Sequence, residues 1–365
     1  MGAWAARQPP GGMVKRPTIA DIARRAGVTK AAVSFALNGQ PGVSAATRER
    51  ILAIAKEIGF QPNSAARALS DGRAGAFGLI IDRPARTLGV EPWFTQFISG
   101  IQAELSGDHT ALLFTMAEDQ DAEIALYRSW WAQRRVDGVF LVDLQIGDHR
   151  VPVLEELRMP AVVIGDPAGA GSLPAIWQDD AAAICAVVEY LAAAGHERIA
   201  RVTGPPGLWH TKIRTDAFRA AARAAGVHAI LREGDYTGEN GAAATRELLH
   251  GSEPPTAILY DNDLMAISGL GAAQQLGVRV PAELSIVAWD DSAFCEVVHP
   301  PLSALTRDVA GYGGRAARAL VQAAAGVDVG SEEEPLAVLT VRGSTGPAPQ
   351  ARRVPAGPVQ PAQPV

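Results

Sequence analysis

The sequence predicts two kinds of architecture in one chain: a small all-α head containing a helix-turn-helix pair, and a larger α/β body built on parallel sheet. Three observations predict it. The opening segment holds three short helical patterns with their own start and stop signals. The remainder alternates strand-length apolar runs with helical stretches. Charge is divided between the two: residues 1–73 carry eleven Lys and Arg against four Asp and Glu, a net of +7, while the rest carries 22 against 35, a net of −13. A basic head on an acidic body fits a head that meets a polyanion, with a solvated basic face as the alternative.

In chain order, Thr18 with Asp21 three residues on forms a capping-box-like start, and Ile19, Ile22, Ala23 and Ala26 follow at i, i+3, i+4 and i+7, giving a first amphipathic helix that Gly27 ends. Thr29 caps a second helix. Its Val33, Ala36 and Leu37 turn inward, while Lys30, Ala31, Ser34 and Phe35 stay on or near the outer face. After the loop GQPGV, Ser44 caps a third helix with Ile51, Ile54, Ala55 and Ile58 on its apolar side and Gly59 beyond its last turn. In QPNSAARALSDGR, Asn63 caps one further helix, from Ser64 to about Ser70, which is too short to be stable alone in water. The body then shows eight apolar runs of strand length: GAFGLIID, ALLFTMA, GVFLVD, AVVIGD, AIWQDD, RIARVTG, TAILYDND and LSIVAWDD. Between them lie helix-like stretches such as FTQFISGIQAEL and AAAICAVVEYLAAAG.

At 365 residues and 48% apolar, the chain has the material for two or three domains with real cores and is too apolar for disorder. No run of about 18 apolar residues and no secretory leader stands out, so a cytoplasmic protein without membrane attachment is expected. Cys185 and Cys295 lack CxxC spacing and read as small buried hydrophobes rather than a disulfide or metal pair. The seven His fall in no HExxH, and there is no GxSxG, P-loop or GxGxxG between a strand and a helix, so neither an enzyme nor a bound cofactor or metal is expected.

The stretch RPTIADIARRAGVTKAAVSFALNGQPGVSAATRERILAIAKEIGFQPNSAARAL resembles the DNA-binding head and hinge of the lactose-repressor (LacI/GalR) family of bacterial transcription regulators. The helix-turn-helix, VSAATR, FQPN and the A-x-x-L hinge occur in order, and the likeness continues through VDGVF, GHERIA, TAILYDND, VPAELSIVAWDD, PPLSALT and VRGSTG. The resemblance implies a two-subdomain body like that of periplasmic sugar-binding proteins. It divides the chain into an N-terminal extension (1–14), a helix-turn-helix domain (15–61), a hinge helix (62–73), an effector-binding and dimerisation domain (74–345) and a disordered Pro-rich tail (346–365). It implies a homodimer on a near-palindromic DNA operator, switched by a small-molecule effector, a sugar. The alternative is a sugar-binding protein without regulatory function, against which the basic head speaks.

By that resemblance the second helix enters the major groove, with Lys30 donating to guanine and Ala31 offering a methyl contact. Thr18, Thr29 and Ser34 position phosphates. Phe35 stands where the family commonly has arginine. Two readings stay open for it: packing against the third helix or hinge, and apolar contact with thymine methyls or sugar edges. In the hinge, Leu69 matches the family's minor-groove wedge, with Ala66 against the groove floor, Arg67 available to phosphate and Asn63 as the cap; the other reading packs Leu69 on the body.

Ligands of open α/β sheets bind beyond the carboxyl ends of strands. Those positions hold Trp93, Phe94, Trp177, Asp179, Trp209, Arg214, Asn262, Asp263 and Asp290. Carboxylate, amide and guanidinium groups beside aromatic faces suit a sugar's hydroxyls and ring face. Asp290, Asn262 and Arg214 match the family's effector contacts by motif. Each could instead be a capping or interdomain group, and Trp177 and Trp209 could be core.

Overall fold

The structure is a computed structural model, and it describes residues 17–60, 73–83, 88–108 and 110–349. The chain divides at Ala74/Gly75 into a head and a body.

The head is three helices: α1 (Ile19–Ala26), α2 (Lys30–Leu37) and α3 (Ala45–Glu57). Each begins where a hydroxyl takes up an orphan backbone N–H. Thr18 and Asp21 form a reciprocal capping box, Thr29 Oγ1 accepts from the Ala32 N–H at 3.1 Å, and Ser44 Oγ accepts from the Thr47 N–H at 3.3 Å. Gly27, at φ 63°, supplies the left-handed residue that stops α1. Ile22, Val33 and Ile51 are fully buried, and Ala23, Ala26, Ala36 and Ala55 complete the core around them. Arg48 of α3 donates to the Ala36 and Gln40 carbonyls, tying α3 to the end of α2.

The body has two lobes, each a six-stranded sheet with helices on both faces. The eight predicted runs form β1 (Ala76–Ile81), β2 (Ala111–Met116), β3 (Val139–Leu141), β4 (Ala161–Ile164), β5 (Ala175–Trp177), β6 (Arg198–Val202), β8 (Ala257–Tyr260) and β9 (Ser285–Ala288). Four more strands complete the sheets: β7 (His228–Arg232), β10 (Ser303–Thr306), β11 (Glu332–Glu333) and β12 (Val338–Thr340). The first lobe runs β11-β5-β4-β3-β1-β2, all parallel. The second runs β12-β10-β9-β8-β6-β7, parallel except for β12 against β10.

The body helices are α4 (Pro92–Leu105), α5 (Gln120–Ala132), α6 (Arg150–Leu157), α7 (Asp180–Ala193), α8 (Trp209–Ala224), α9 (Gly238–His250), α10 (Asp263–Gln275), α11 (Ala293–Val297) and α12 (Val309–Ala324). The chain crosses between lobes three times: from β5 to α7, from β10 back to α12, and from β11 to β12. α12 therefore belongs to the first lobe, where it packs on α4. A Cβ on Gly100 would lie 1.8 Å from the Ala310 carbonyl oxygen, and one on Gly313 would lie 2.2 Å from that of Phe97, so the two helices meet at this distance only with glycine there.

One boundary is revised. The body extends past the expected end at Thr345: the Ala348 N–H donates to the Ala194 carbonyl at 2.9 Å and the Gly346 N–H to Ser285 Oγ at 3.1 Å, so the start of the expected tail is pinned to the second lobe. Cys295 is buried, as its residue type predicted, while Cys185 is only half-buried. The expected extension, most of the hinge helix and the remainder of the tail lie outside the described residues. No helix among the described residues is long and apolar enough to cross a membrane.

Candidate functional site

In the head, Lys30 and Ala31 stand exposed at the N-terminal end of α2, with Ser34 half-buried one turn on. The first turn of α2 has no acidic residue, so its N-terminal N–H groups and Lys30 present one sign of potential. The hydroxyls of Thr18 and Thr29 are committed to their caps. Phe35 is 40% exposed and stays out of the head's core cluster; its ring edge lies 3.3 Å from where a Cβ on Gly42 would stand. It therefore leans on the turn between α2 and α3, a third arrangement beside the two expected. Asn63, Ala66, Arg67 and Leu69 lie outside the described residues.

In the body, the carboxyl ends of the strands of both lobes face a shared cavity of about 100 Å³. The first lobe contributes Arg83 after β1, Glu91, Trp93 and Phe94 at the start of α4, Asp143 after β3 and Asp166 after β4. The second contributes His210 and Arg214 on the first turns of α8, Tyr236 after β7, Asp261 after β8, and Trp289 and Asp290 after β9. Gln178 and Arg307, on two of the crossing segments, complete the lining.

Charge in this cavity is tightly organised. Arg83 donates to both oxygens of Asp143 (2.8 and 3.0 Å) and to both of Glu91 (2.9 and 3.0 Å). Its guanidinium lies over the ring of Phe94 on its own lobe, at 5.1 Å, and over that of Tyr236 on the other, at 4.6 Å. Arg83 thus spans the cleft. Arg214 donates to Asp180 at 2.7 Å, comes within 4.0 Å of Asp261 and stacks 3.9 Å above Trp289. Behind it, Arg201 and Asp261 form a fully buried bidentate pair at 2.6 and 2.7 Å. Arg307 donates to Asp290 at 2.5 Å and to Gln178 at 3.1 Å. Backbone contacts also join the lobes: the Trp209 N–H donates to the Leu144 carbonyl at 2.7 Å, and the Ile146 N–H to that of Gly207 at 2.9 Å.

Burial and the neighbouring arginines together set the titration of the lining groups. Burial pushes the Glu91 carboxyl up to about 7 against the pull of Arg83. Burial, then the Arg214 charge, pushes His210 down to about 4, so it is neutral while Nε2 meets the Tyr236 hydroxyl at 2.7 Å. Burial alone would raise Asp143 and Asp261. The arginines facing them outweigh it, Arg83 for Asp143 and Arg201 with Arg214 for Asp261, and both carboxyls are lowered.

Four of the nine expected effector residues line this cavity: Trp93, Phe94, Arg214 and Asp290. The other five do not. Asp179 caps α7 through the Ala182 N–H, and Asp180 faces the cavity instead. Asn262 caps α10 through the Met265 N–H, its Nδ2 holding the Tyr236 carbonyl, and Asp261 lines the cavity in its place. Asp263 is buried behind the lining, accepting from the Leu264 N–H, and burial with the nearby Asp290 charge raises it to about 6. Trp209 packs into the first lobe's core while His210, its neighbour, reaches the cavity. Trp177 pairs with Glu333 at the sheet edge, its carbonyl accepting from the Glu334 N–H. Arg83, Glu91, Asp143 and Tyr236 went unpredicted, although Asp143 closes the run GVFLVD and Arg83 follows GAFGLIID.

Comparisons with known proteins agree with both parts. Residues 18–63 match the family model of bacterial regulatory proteins of the lacI family, and residues 188–345 that of a periplasmic binding protein-like domain. The HTH-type transcriptional regulator CelR of Thermobifida fusca is 31% identical over 84% of this chain and 92% of its own length. The HTH-type transcriptional regulator MalR of Streptomyces coelicolor is 31% identical over 92% of this chain and 98% of its own. Among solved structures, the lac repressor dimer bound to operator and the anti-inducer ONPF matches with a TM-score of 0.80 at 26% identity, covering 91% of this chain and all of that one. A CelR–cellobiose complex matches at 0.69 and 29%, covering 90% and 100%. With a capped helix-turn-helix head, a two-lobed α/β body and relatives aligned along nearly their whole length, this chain belongs to the lacI family of DNA-binding transcriptional regulators.

Proposed function

We propose that the protein is a cytoplasmic repressor that binds a near-palindromic operator as a homodimer and changes its operator affinity when a sugar enters the cleft of the body. The observation that carries this is the cleft itself. Acidic and guanidinium groups stand beside Trp93, Phe94 and Trp289 at the strand ends of two lobes joined by three crossings. A sugar's hydroxyls pair with such groups while its ring face lies on an aromatic one. The solved relative in complex with cellobiose supports the choice of ligand class, and the operator-bound lac repressor dimer supports the choice of assembly. Asp290, after β9, and Arg214, near the start of α8, serve as effector contacts, and Lys30, Ala31 and Phe35 read bases. The second-helix face carries no acidic side chain to repel phosphate. The ligand leaves unchanged, since regulation needs only a difference in its affinity for two states.

The test is a gel shift of the full chain on its own upstream DNA with and without each of a panel of sugars, with the sugar recovered afterwards. A shift that one sugar abolishes or strengthens, with that sugar intact, supports the reading. A shift indifferent to all sugars, or turnover of one, overturns it.

A further inference from the structure

The cleft's positive charges are already spoken for, and that limits what a ligand can carry. All of Arg83's donor nitrogens face Asp143 or Glu91; Arg214 is held by Asp180 and Arg307 by Asp290. With Asp166 and Asp261 the lining holds six carboxylates against these three guanidinium groups, and counting Arg201 behind Asp261 makes four. Protonating Glu91 does not turn that balance positive. His210 is held neutral by burial and by Arg214. An anionic ligand therefore meets no unpaired cation and several carboxylates in a setting of reduced dielectric.

The remaining hydrogen-bonding capacity suits neutral hydroxyls: Arg307 Nε is buried without an acceptor, but the charge of that guanidinium is already balanced by Asp290. Within the protein Asp180 uses only Oδ2 and Asp290 only Oδ1, leaving one open acceptor oxygen on each. Two lining tryptophans from opposite lobes, Trp93 and Trp289, each have a buried Nε1 with no acceptor in the protein. A hydroxyl group satisfies both kinds of site, since it donates to a carboxylate and accepts from an indole N–H. A buried donor left without an acceptor is costly, so both indoles favour an occupant bearing neutral oxygen.

We propose that this cleft selects an uncharged polyhydroxy ligand and rejects the same ligand once it carries a phosphate or carboxylate, with Asp180 and Asp290 acting both as hydroxyl acceptors and as the groups that keep Arg214 and Arg307 from serving an anion. This rests on the reading of the cleft as a sugar site. Specificity here comes from the built-in repulsion as much as from the attraction.

Matched pairs test it on the full chain, by tryptophan fluorescence with calorimetry: glucose against glucuronate and glucose 6-phosphate, galactose against galacturonate and galactose 6-phosphate, with cellobiose and maltose as neutral disaccharides. The neutral member of any binding pair is expected to bind at least about 30-fold tighter than its anionic partners, in line with like-charge repulsion in a partly buried site. In Asp290→Asn and Asp180→Asn, checked for native melting, the freed arginine is expected to narrow that ratio by about tenfold. An anionic member binding as tightly as its neutral partner, or a ratio that neither folded variant changes, overturns the inference while leaving the sugar reading standing. No binding by any compound in either class overturns the sugar reading, and the inference falls with it.

Discussion

The head and the body solve the problem of folding by different means. The head closes on seven buried side chains, all apolar, from three helices whose ends are capped by residues next to them in sequence. None of the buried polar or charged side chains among the described residues lies in the head. Its ion pairs are exposed, as in Arg25 with Glu57 at 3.0 Å. The body instead buries whole ion pairs: Arg201 with Asp261, and Arg150 with Glu123 and Asp148. The cleft gathers its lining from the ends of strands far apart in the sequence. A surface built for a polyanion keeps its cations in water, where they exchange counterions. A cleft built for a small ligand takes its charges partly out of water, and here every guanidinium in it is paired with a carboxylate.

The largest effect expected from this division is produced by removing the head. A fragment beginning at Gly75 is expected to lose operator binding entirely in gel shifts while retaining the fluorescence response to ligand. The full chain's operator affinity is expected to fall steeply with salt, as counterion release requires. Residual specific binding by the fragment would break the comparison at its root.

Next in size is the contrast between buried and exposed pairs. Asp261→Ala leaves the fully buried Arg201 guanidinium unpaired and is expected to destabilise the body by about 3–5 kcal/mol in denaturant unfolding. Arg25→Ala breaks an exposed pair in the head and is expected to cost no more than about 1 kcal/mol. Similar losses from the two would erase the distinction.

These contrasts also explain which parts were legible in advance. Helix starts in the head are local events: Thr18, Thr29 and Ser44 cap helices because each sits just before an apolar period, and nothing distant decides it. Eight strands announced themselves as apolar runs; seven of them are largely buried, while β2, at the sheet edge, is apolar in sequence with Phe114 and Met116 exposed. β7 was hidden because its side chains are only partly buried and it is bounded by polar residues, and β11 and β12 because they have two and three residues. The cleft was legible to the right loop and often one residue off. At a strand-to-helix junction Asp179 or Asn262 turns its side chain back onto the helix's first N–H groups, and it is the neighbour, Asp180 or Asp261, that lines the cavity. Which of two adjacent polar residues caps and which points outward depends on backbone direction, and composition does not carry that. Arg83 escaped for another reason: its importance lies in four partners brought from Glu91, Phe94, Asp143 and Tyr236.

Titration sharpens the comparison further. His210 faces Arg214, Asp143, Asp180 and Arg83 and is held down to about 4 from an ordinary 6.5, so the unfolded chain binds a proton there that the folded body refuses. Its contribution to stability is present in full above pH 6.5 and is lost as pH falls towards 4. Glu91, raised by burial to about 7, works in the opposite sense, its contribution being lost as pH rises from the ordinary 4.5. The measurement is therefore a difference. Between pH 6.5 and 4, His210→Asn is expected to lose less stability than the parent, by on the order of 2–3 kcal/mol, while the isolated head, which has no histidine, shows no such term. Parallel pH profiles for parent and variant would remove His210 from the account.

The smallest expected effect concerns Phe35, the one large apolar side chain on the outer face of α2. At 40% exposure, with its ring beside Gly42 and outside the core formed by Ile22, Val33 and Ile51, it has little burial to lose. Phe35→Ala is accordingly expected to leave the melting temperature of the head nearly unchanged. A phenyl ring at this place in a major-groove helix offers thymine methyls an apolar surface and offers guanine no donor, so removing it is expected to relax base preference at one symmetric pair of operator positions. The size is roughly 1–3 kcal/mol per half-site, the usual range for a single mismatched position. Binding-site selection on parent and variant, run beside thermal melts, separates this from a packing role. A lower melting temperature with all sequences weakened alike would mean that the ring holds the α2–α3 turn and reads nothing. An unchanged motif with unchanged stability would assign the reading to Lys30 and Ala31 alone, and the head would then recognise its operator through the first turn of α2.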